Sequence, residues 1–157
     1  GAVRYIEDTI ENVDRTLLKK YCKNETVNLI LSSYDGRLTE NKIALEHSIS
    51  LPKKLEVSDL DLTAILSNAV ENAIEAVSSL PEERRRIFIK INESHGKLLI
   101  SLKNSFDTPP RLVNGIPHTQ SPGHGLGTQS IQYITKRLGG SCQFTLEDGM
   151  FVLRIII

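Results

Sequence analysis

The stretch that decides the fold is residues 58–80, SDLDLTAILSNAVENAIEAVSSL. Ser58 followed three residues later by Asp61 is a capping signature for a helix start, and Pro81 closes the pattern. At about 100° per residue, Leu62, Leu66, Ala69, Val70, Ala73, Ala76 and Val77 fall on one broad apolar face. Asn68, Glu71, Asn72 and Glu75 gather on a polar stripe about 100° wide. Any amphipathic helix shows a polar side to water, so the stripe alone decides nothing. Its residue types do more. Solvent faces of helices carry Lys, Glu, Gln or Arg, whereas Asn is a poorer helix former whose short amide competes for the backbone. Two asparagines one turn apart read as oxygen ligands, and amide oxygens with phosphate oxygens and waters suit Mg2+.

On the C-terminal side, RRIFIKIN and KLLISLKN alternate with period two, placing Ile87, Ile89 and Ile91, then Leu98, Ile100 and Leu102, on equivalent faces. The short ESHG connection makes them a hairpin, with His95 in its loop. Arg84, Arg85 and Arg86 beside Glu82 and Glu83 read as a solvated mixed-charge loop. The chain ends in a second hairpin, CQFTLEDGMFVLRIII, turning at Asp148 and Gly149. Upstream, KIALEHSI reads as a strand in which His47 merely occupies a place. One helix is expected from about Glu25 to Glu40, with Val27, Leu31, Tyr34 and Leu38 on one face and a last turn weakened by Gly36. Ile6, Ile10, Val13 and Leu17 recur at helix–helix spacing, so the chain opens mid-pattern like the end of a longer helical stem. Five strands and two domain helices predict an α/β fold, a two-layer sandwich with a mixed sheet, preceded by a helical stem segment.

Residues 105–122, SFDTPPRLVNGIPHTQSP, hold four of the six prolines and no sustained period, and a stretch of that length reads as a lid or binding loop. His118 belongs to it. Then comes GHGLGTQSIQYITKRLGG, residues 123–140, with glycines at alternate positions directly before a helix carrying Ile131, Ile134 and Leu138 and stopping at Gly139 and Gly140. Glycine gives up about 1 kcal/mol of helix propensity per residue, so a reason is needed. Close approach of the backbone to an anion supplies one. A helix beginning near Thr128 presents unpaired N–H groups and a partial positive charge to it.

The totals restrict the partners. Lys and Arg together number 19, as do Asp and Glu, so no global positive field draws nucleic acid, and none is expected as a partner. No apolar run approaches the roughly 20 residues of a membrane span, and no signal-peptide core opens the chain. Cys22 and Cys142 are far apart without C-x-x-C pairing, which fits reduced thiols in the cytosol, with a single disulfide left open.

LSNAVENAIEA resembles the N-box, and GHGLG the second glycine box, of the GHKL (Bergerat-fold) ATP-binding domain shared by gyrase, MutL and sensor histidine kinases. The order and spacing of the two boxes agree with that family over roughly residues 40–157. The resemblance implies ATP and Mg2+ as cofactors, with Asn72 matching the metal-binding asparagine and Asn68 the polar residue facing the phosphates. Hydrolysing members carry Glu at the latter position. An amide cannot take a proton from water as a carboxylate can, which favours transfer to a positioned acceptor. Asn68 and Glu71 are the catalytic candidates; Glu75 stands where many kinases have a basic residue. Gly123, Gly125 and Gly127 fold the lid's backbone over the phosphates with Leu126 and Thr128. His124 is either a further phosphate donor or a solvent-facing loop residue.

The family's first glycine box, D-x-G-x-G, is replaced here by KNSFDTPP. Asn104 stands at the Asp position, where its amide oxygen can still accept from the adenine amino group if its orientation is held. This exchange is similar to the peptide-pheromone, quorum-sensing branch of histidine kinases. Asp107 is a less apt, shifted replacement.

The resemblance implies the catalytic domain of a sensor histidine kinase, residues 23–157, after a dimerisation-stem remnant at 1–22. None of the four histidines lies on a stem helix, so the phosphoacceptor is expected upstream. Expected partners are the protein's own dimerisation and phosphoacceptor domain, a response regulator, and a second copy through the N-terminal helix. The domain is expected in the cytoplasm with its parent attached to the membrane. Two other readings stay open: a degenerate nucleotide-binding or signalling scaffold, and a related small ATPase or protein serine kinase.

Overall fold

The computed structural model describes residues 21–117 and 126–157, with Leu126 by its backbone alone. The expected stem pattern at Ile6, Ile10, Val13 and Leu17 lies outside these residues, as do His118, Gly123, His124 and Gly125.

The central helix forms where its cap and apolar period place it: α3 spans Asp59–Ser78, and the Ser58 hydroxyl accepts from the Asp61 N–H at 3.1 Å. Before it lie α1 (Glu25–Ser33), α2 (Asp35–Glu40) and strand β1 (Ala44–Ser50); after it come β2 (Arg86–Ser94) and β3 (Lys97–Ser105). Two short strands, β4 (Leu112–Val113) and β5 (Ile116–Pro117), precede α4 (Leu126–Arg137), β6 (Ser141–Glu147) and β7 (Met150–Ile156). The main sheet has the order β1-β2-β3-β7-β6. Only the β1–β2 pair is parallel. A parallel pair needs a crossover, and α3 is that crossover, so the sheet is mixed because the long helix sits between its first two strands.

Helices cover one face of the sheet. Ile87, Ile89 and Ile91 of β2, Leu98, Ile100 and Leu102 of β3, Leu153 and Ile155 of β7 and Phe144 of β6 are buried there with the apolar face of α3 and with Ile131 of α4. The expected apolar face needs one correction: Ala76 is exposed, while Ile65 and Ile74 are buried. Because α3 packs on the sheet, α1 and α4 together, its buried arc is wider than a helix lying on a sheet alone would need.

Three further expectations change. The helix expected over Glu25–Glu40 is two, joined at Tyr34, whose N–H bonds to the Leu31 carbonyl three residues back at 3.1 Å. Tyr34 is buried there, and its hydroxyl reaches the Ser67 carbonyl of α3 at 3.4 Å. Residues 105–122 are not without structure: Asn114 and Gly115, both at positive φ, turn β4 into β5, as Asn-Gly between apolar residues does in hairpins. Arg85 is not simply solvated, because its guanidinium donates to the carbonyls of Leu80 (2.8 Å) and Asn41 (2.6 Å), pinning the end of α3 and the approach to β1. Both cysteines are free thiols, with Cys142 pushed up to about 11 by burial. Among the described residues no helix is long and apolar enough to cross a membrane.

Where α4 hands over to β6, a methyl group on Gly140 would sit 2.1 Å from the Ile156 carbonyl oxygen. Gly140→Ala is therefore expected to destabilise the fold by about 1–3 kcal/mol. Gly36→Ala, with nothing within 4 Å of the added carbon, should be neutral or stabilising by up to about 1 kcal/mol. Urea unfolding of the two variants checks the contrast, and equal midpoints would refute it.

Candidate functional site

Asn68 and Asn72 lie one turn apart on α3, both partly exposed. The Asn68 side chain is oriented by its own helix: Nδ2 donates to the Ala64 carbonyl at 2.8 Å, one turn back. That bond uses the donor end and leaves Oδ1 to face outward. Gly127, in the first turn of α4, meets it. A carbon added at Gly127 would stand 3.2 Å from Asn68 Oδ1 and 3.3 Å from Asn72 Oδ1. The two amide oxygens thus converge on Gly127, where no Cβ stands between them and the backbone.

The same turn supplies donors. Leu126, Gly127 and Thr128 are the first described residues of α4, and N–H groups at a helix start point outward along its axis. Thr128 is buried. Within the described residues α4 runs from Leu126, with Thr128 in its first described turn. Oxygen acceptors on α3 therefore face the positive end of α4, an arrangement that suits an anion carrying a hard cation. Among the described residues no cluster of three or more His, Cys, Asp and Glu is placed to hold a metal ion. Amide oxygens leave most of a cation's coordination sphere to phosphate and water, as Mg2+ requires.

Asn104 is on the helix-covered face of β3, in line with Leu98, Ile100 and Leu102, and is 3% exposed. Its Nδ2 donates to the Ser105 carbonyl at 3.0 Å, which settles the amide with Oδ1 as the remaining acceptor. The Ser105 hydroxyl in turn donates to the Arg84 carbonyl. Arg84 also takes Asp107, at 3.1 Å, into an exposed ion pair, so Asp107 is occupied at the outer end of the hairpin.

Glu71 is turned toward another neighbour. Its Oε1 accepts from Arg37 Nη1 at 3.0 Å and lies 3.4 Å from the Tyr34 hydroxyl. Burial holds the Tyr34 phenol above its ordinary pKa, so it stays a neutral donor. Glu75 is exposed on the same stripe. The structure thus brings Asn68, Asn72 and Gly127 together, sets Glu71 at the edge with Arg37, and keeps Asn104 in the layer boundary below. Sequence reasoning missed Arg37, for which an exposed Arg in a helix gives no signal. Tyr34 gave one: a tyrosine on an apolar face needs a partner for its hydroxyl.

An open groove of about 800 Å³ lies on the other face of the sheet among Phe88, Lys90, Lys103 and Arg154 and contains none of these residues.

Comparison with known proteins agrees with this geometry. Residues 57–157 match the model of a family described as GHKL domain. A protein of Halalkalibacterium halodurans named Probable C4-dicarboxylate sensor kinase is 22% identical over 93% of this chain, which spans 30% of that relative's length. Among solved structures, the catalytic domain of histidine kinase ThkA superposes with a TM-score of 0.69 at 21% identity, covering 85% of this chain and 89% of that one. The mycobacterial sensor histidine kinase MprB gives 0.67 at 16% identity, covering 85% and 91%. Full-length ShkA in complex with AMPPNP gives 0.62 at 18% identity, covering 83% of this chain and 28% of that one. With a family model matched over most of its length and this sandwich beneath it, the chain belongs to the GHKL domain family and has the fold of histidine kinase catalytic domains.

Proposed function

We propose that this domain binds Mg2+-ATP between α3 and the glycine-rich segment leading into α4, and serves a sensor histidine kinase by passing the γ-phosphoryl group to a histidine of the dimerisation stem. The observation that carries the reading is the convergence of Asn68 Oδ1 and Asn72 Oδ1 on Gly127 in the first described turn of α4. A likeness to a named sensor kinase and to a kinase solved with AMPPNP supports it.

In this reading Asn72 holds the cation, which neutralises charge developing on the phosphates. Asn68 faces the phosphate tail, and as an amide it leaves water unactivated. Glu71 stands at the edge where the acceptor arrives. The N–H groups of Leu126, Gly127 and Thr128 donate to phosphate oxygens, and the resemblance of GHGLG to the second glycine box assigns Gly123, His124 and Gly125 to the same phosphates. Asn104 Oδ1 accepts from the adenine amino group, the amide being oriented by the bond from its Nδ2 to the Ser105 carbonyl. Residues 1–22 belong to the stem and 23–157 to the catalytic domain. The parent is a membrane-attached homodimer whose domain works in the cytoplasm and hands its phosphoryl group on to a response regulator.

Millimolar Mg2+-ATP is expected to raise the melting temperature of the domain, because a ligand bound only by the native state stabilises it. Asn72→Ala should abolish the Mg2+-dependent part of that rise, by at least about tenfold in affinity. A parent that melts at the same temperature with and without nucleotide would instead mark a degenerate scaffold. Asn104→Leu removes the base-reading acceptor and should weaken ATP by about 1–3 kcal/mol, read by calorimetry, while leaving inorganic triphosphate binding unchanged. With γ-labelled ATP and the full-length parent, label is expected on a stem histidine; free phosphate released without any acceptor would favour an ATPase.

A further inference from the structure

Phosphoryl transfer depends on positive charge around the transferred group, and the polar ridge of α3 contributes none of its own: Asn68 and Asn72 are neutral, Glu71 and Glu75 are acidic. Among the described residues, one Arg or Lys is paired with that ridge. Arg37 reaches it from α2, with Nη1 at 3.0 Å from Glu71 Oε1, one residue before Asn72 in the chain. Its guanidinium lies 5.7 Å from the centre of the Tyr34 ring, and the Tyr34 hydroxyl points at the same carboxylate. The two side chains of the pair are 48% and 56% exposed. An ion pair that open to water contributes little to stability, so holding α2 in place is a poor account of it.

We propose that Arg37 is a γ-phosphate ligand: when Mg2+-ATP is bound, its guanidinium leaves Glu71 Oε1 and donates to oxygens of the terminal phosphoryl group. The planar fork of Arg suits two oxygens of one phosphate, and exchanging one carboxylate for a doubly charged phosphate keeps the cation paired throughout. No bond to phosphorus is made or broken by Arg37; it stabilises negative charge on the equatorial oxygens.

This assignment rests on the nucleotide reading above, and the test separates the two. Affinities of the domain for Mg2+-ATP and Mg2+-ADP are measured by calorimetry for the parent, Arg37→Ala and Arg37→Lys, with circular dichroism melts of each. The expected result is a loss of about tenfold for ATP in Arg37→Ala, less than about twofold for ADP, partial recovery of ATP in Arg37→Lys, and melts within a degree or two of the parent. Equal losses for both nucleotides, or no loss for either, overturn the assignment while leaving the nucleotide site standing. A parent that binds neither nucleotide overturns the functional reading and this assignment with it.

Discussion

The proposed nucleotide site depends on one packing constraint: α3 must bury one side in the core while its polar ridge stays open against the first described turn of α4. Core packing fixes the azimuth of α3 tightly, because Leu62, Ile65, Leu66, Ala69, Val70, Ala73, Ile74 and Val77 are all buried at once. A rotation of even a quarter turn would expose part of that set and bury Asn68 or Asn72, at a cost of several kcal/mol in apolar area and unsatisfied amides. The amide oxygens are therefore aimed by hydrophobic residues on the opposite side of the helix. The other side of the cleft is fixed just as firmly. Ile131 of α4 is fully buried, Thr135 donates to its carbonyl from within the same buried turns, and Arg137 pairs with Asp61 near the start of α3. The two helices are thus clamped together at the end remote from the glycines.

That clamp leaves the opposite end of α4 to the glycine. A side chain at position 127 would bring its Cβ to 3.2 Å from Asn68 Oδ1 and 3.3 Å from Asn72 Oδ1, so glycine lets this turn lie against both asparagines without moving them. Asparagine meets the complementary need. A longer amide or a carboxylate at position 68 would not bond back to the Ala64 carbonyl with its donor and still offer an oxygen at the same depth. Asn104 repeats the device in a strand, where the bond from its Nδ2 to the neighbouring carbonyl orients the amide and leaves Oδ1 as an acceptor.

How much of this the sequence disclosed follows from the range of each interaction. The capped long helix, both hairpins and the amide ridge rest on local chemistry: a hydroxyl three residues before an N–H, alternation within a strand, positive-φ turn pairs, residue type on a helix face. These were readable from one stretch at a time, and Asn-Gly at 114–115 was readable too but was hidden by the prolines around it. The break at Tyr34, the burial of Ile65 and Ile74 and the pinning role of Arg85 were not, since each depends on an element distant in the chain: Ser67 for Tyr34, α1 for the wider face of α3, Leu80 and Asn41 for Arg85. Arg37 belongs with these, for its partner lies 34 residues away and its own surroundings in the sequence are ordinary. At the site, the ridge and the glycine were each visible, but only the fold shows that Asn68 and Asn72 both face Gly127.

The strength of each interaction also varies with position in a way that suits ligand exchange. Around the core, polar groups are held by bonds that are buried or doubled: Asn28 both accepts from Tyr21 and Cys22 and donates back to Cys22, and Arg85 grips two carbonyls. At the ridge, Asn68 has one tether to its own helix, Asn72 has no hydrogen bond among the described residues, and Glu71 is held by an exposed pair. Water competes well for such groups, so little is lost when a ligand replaces it. The entering segment is joined to this edge through short links, with Tyr21 bonded to Asp35 of α2 and α2 carrying Arg37 to Glu71. A displacement of α2 would thus act first on the exposed pair, the weakest link at the site, while the buried side of α3 stayed where the core holds it.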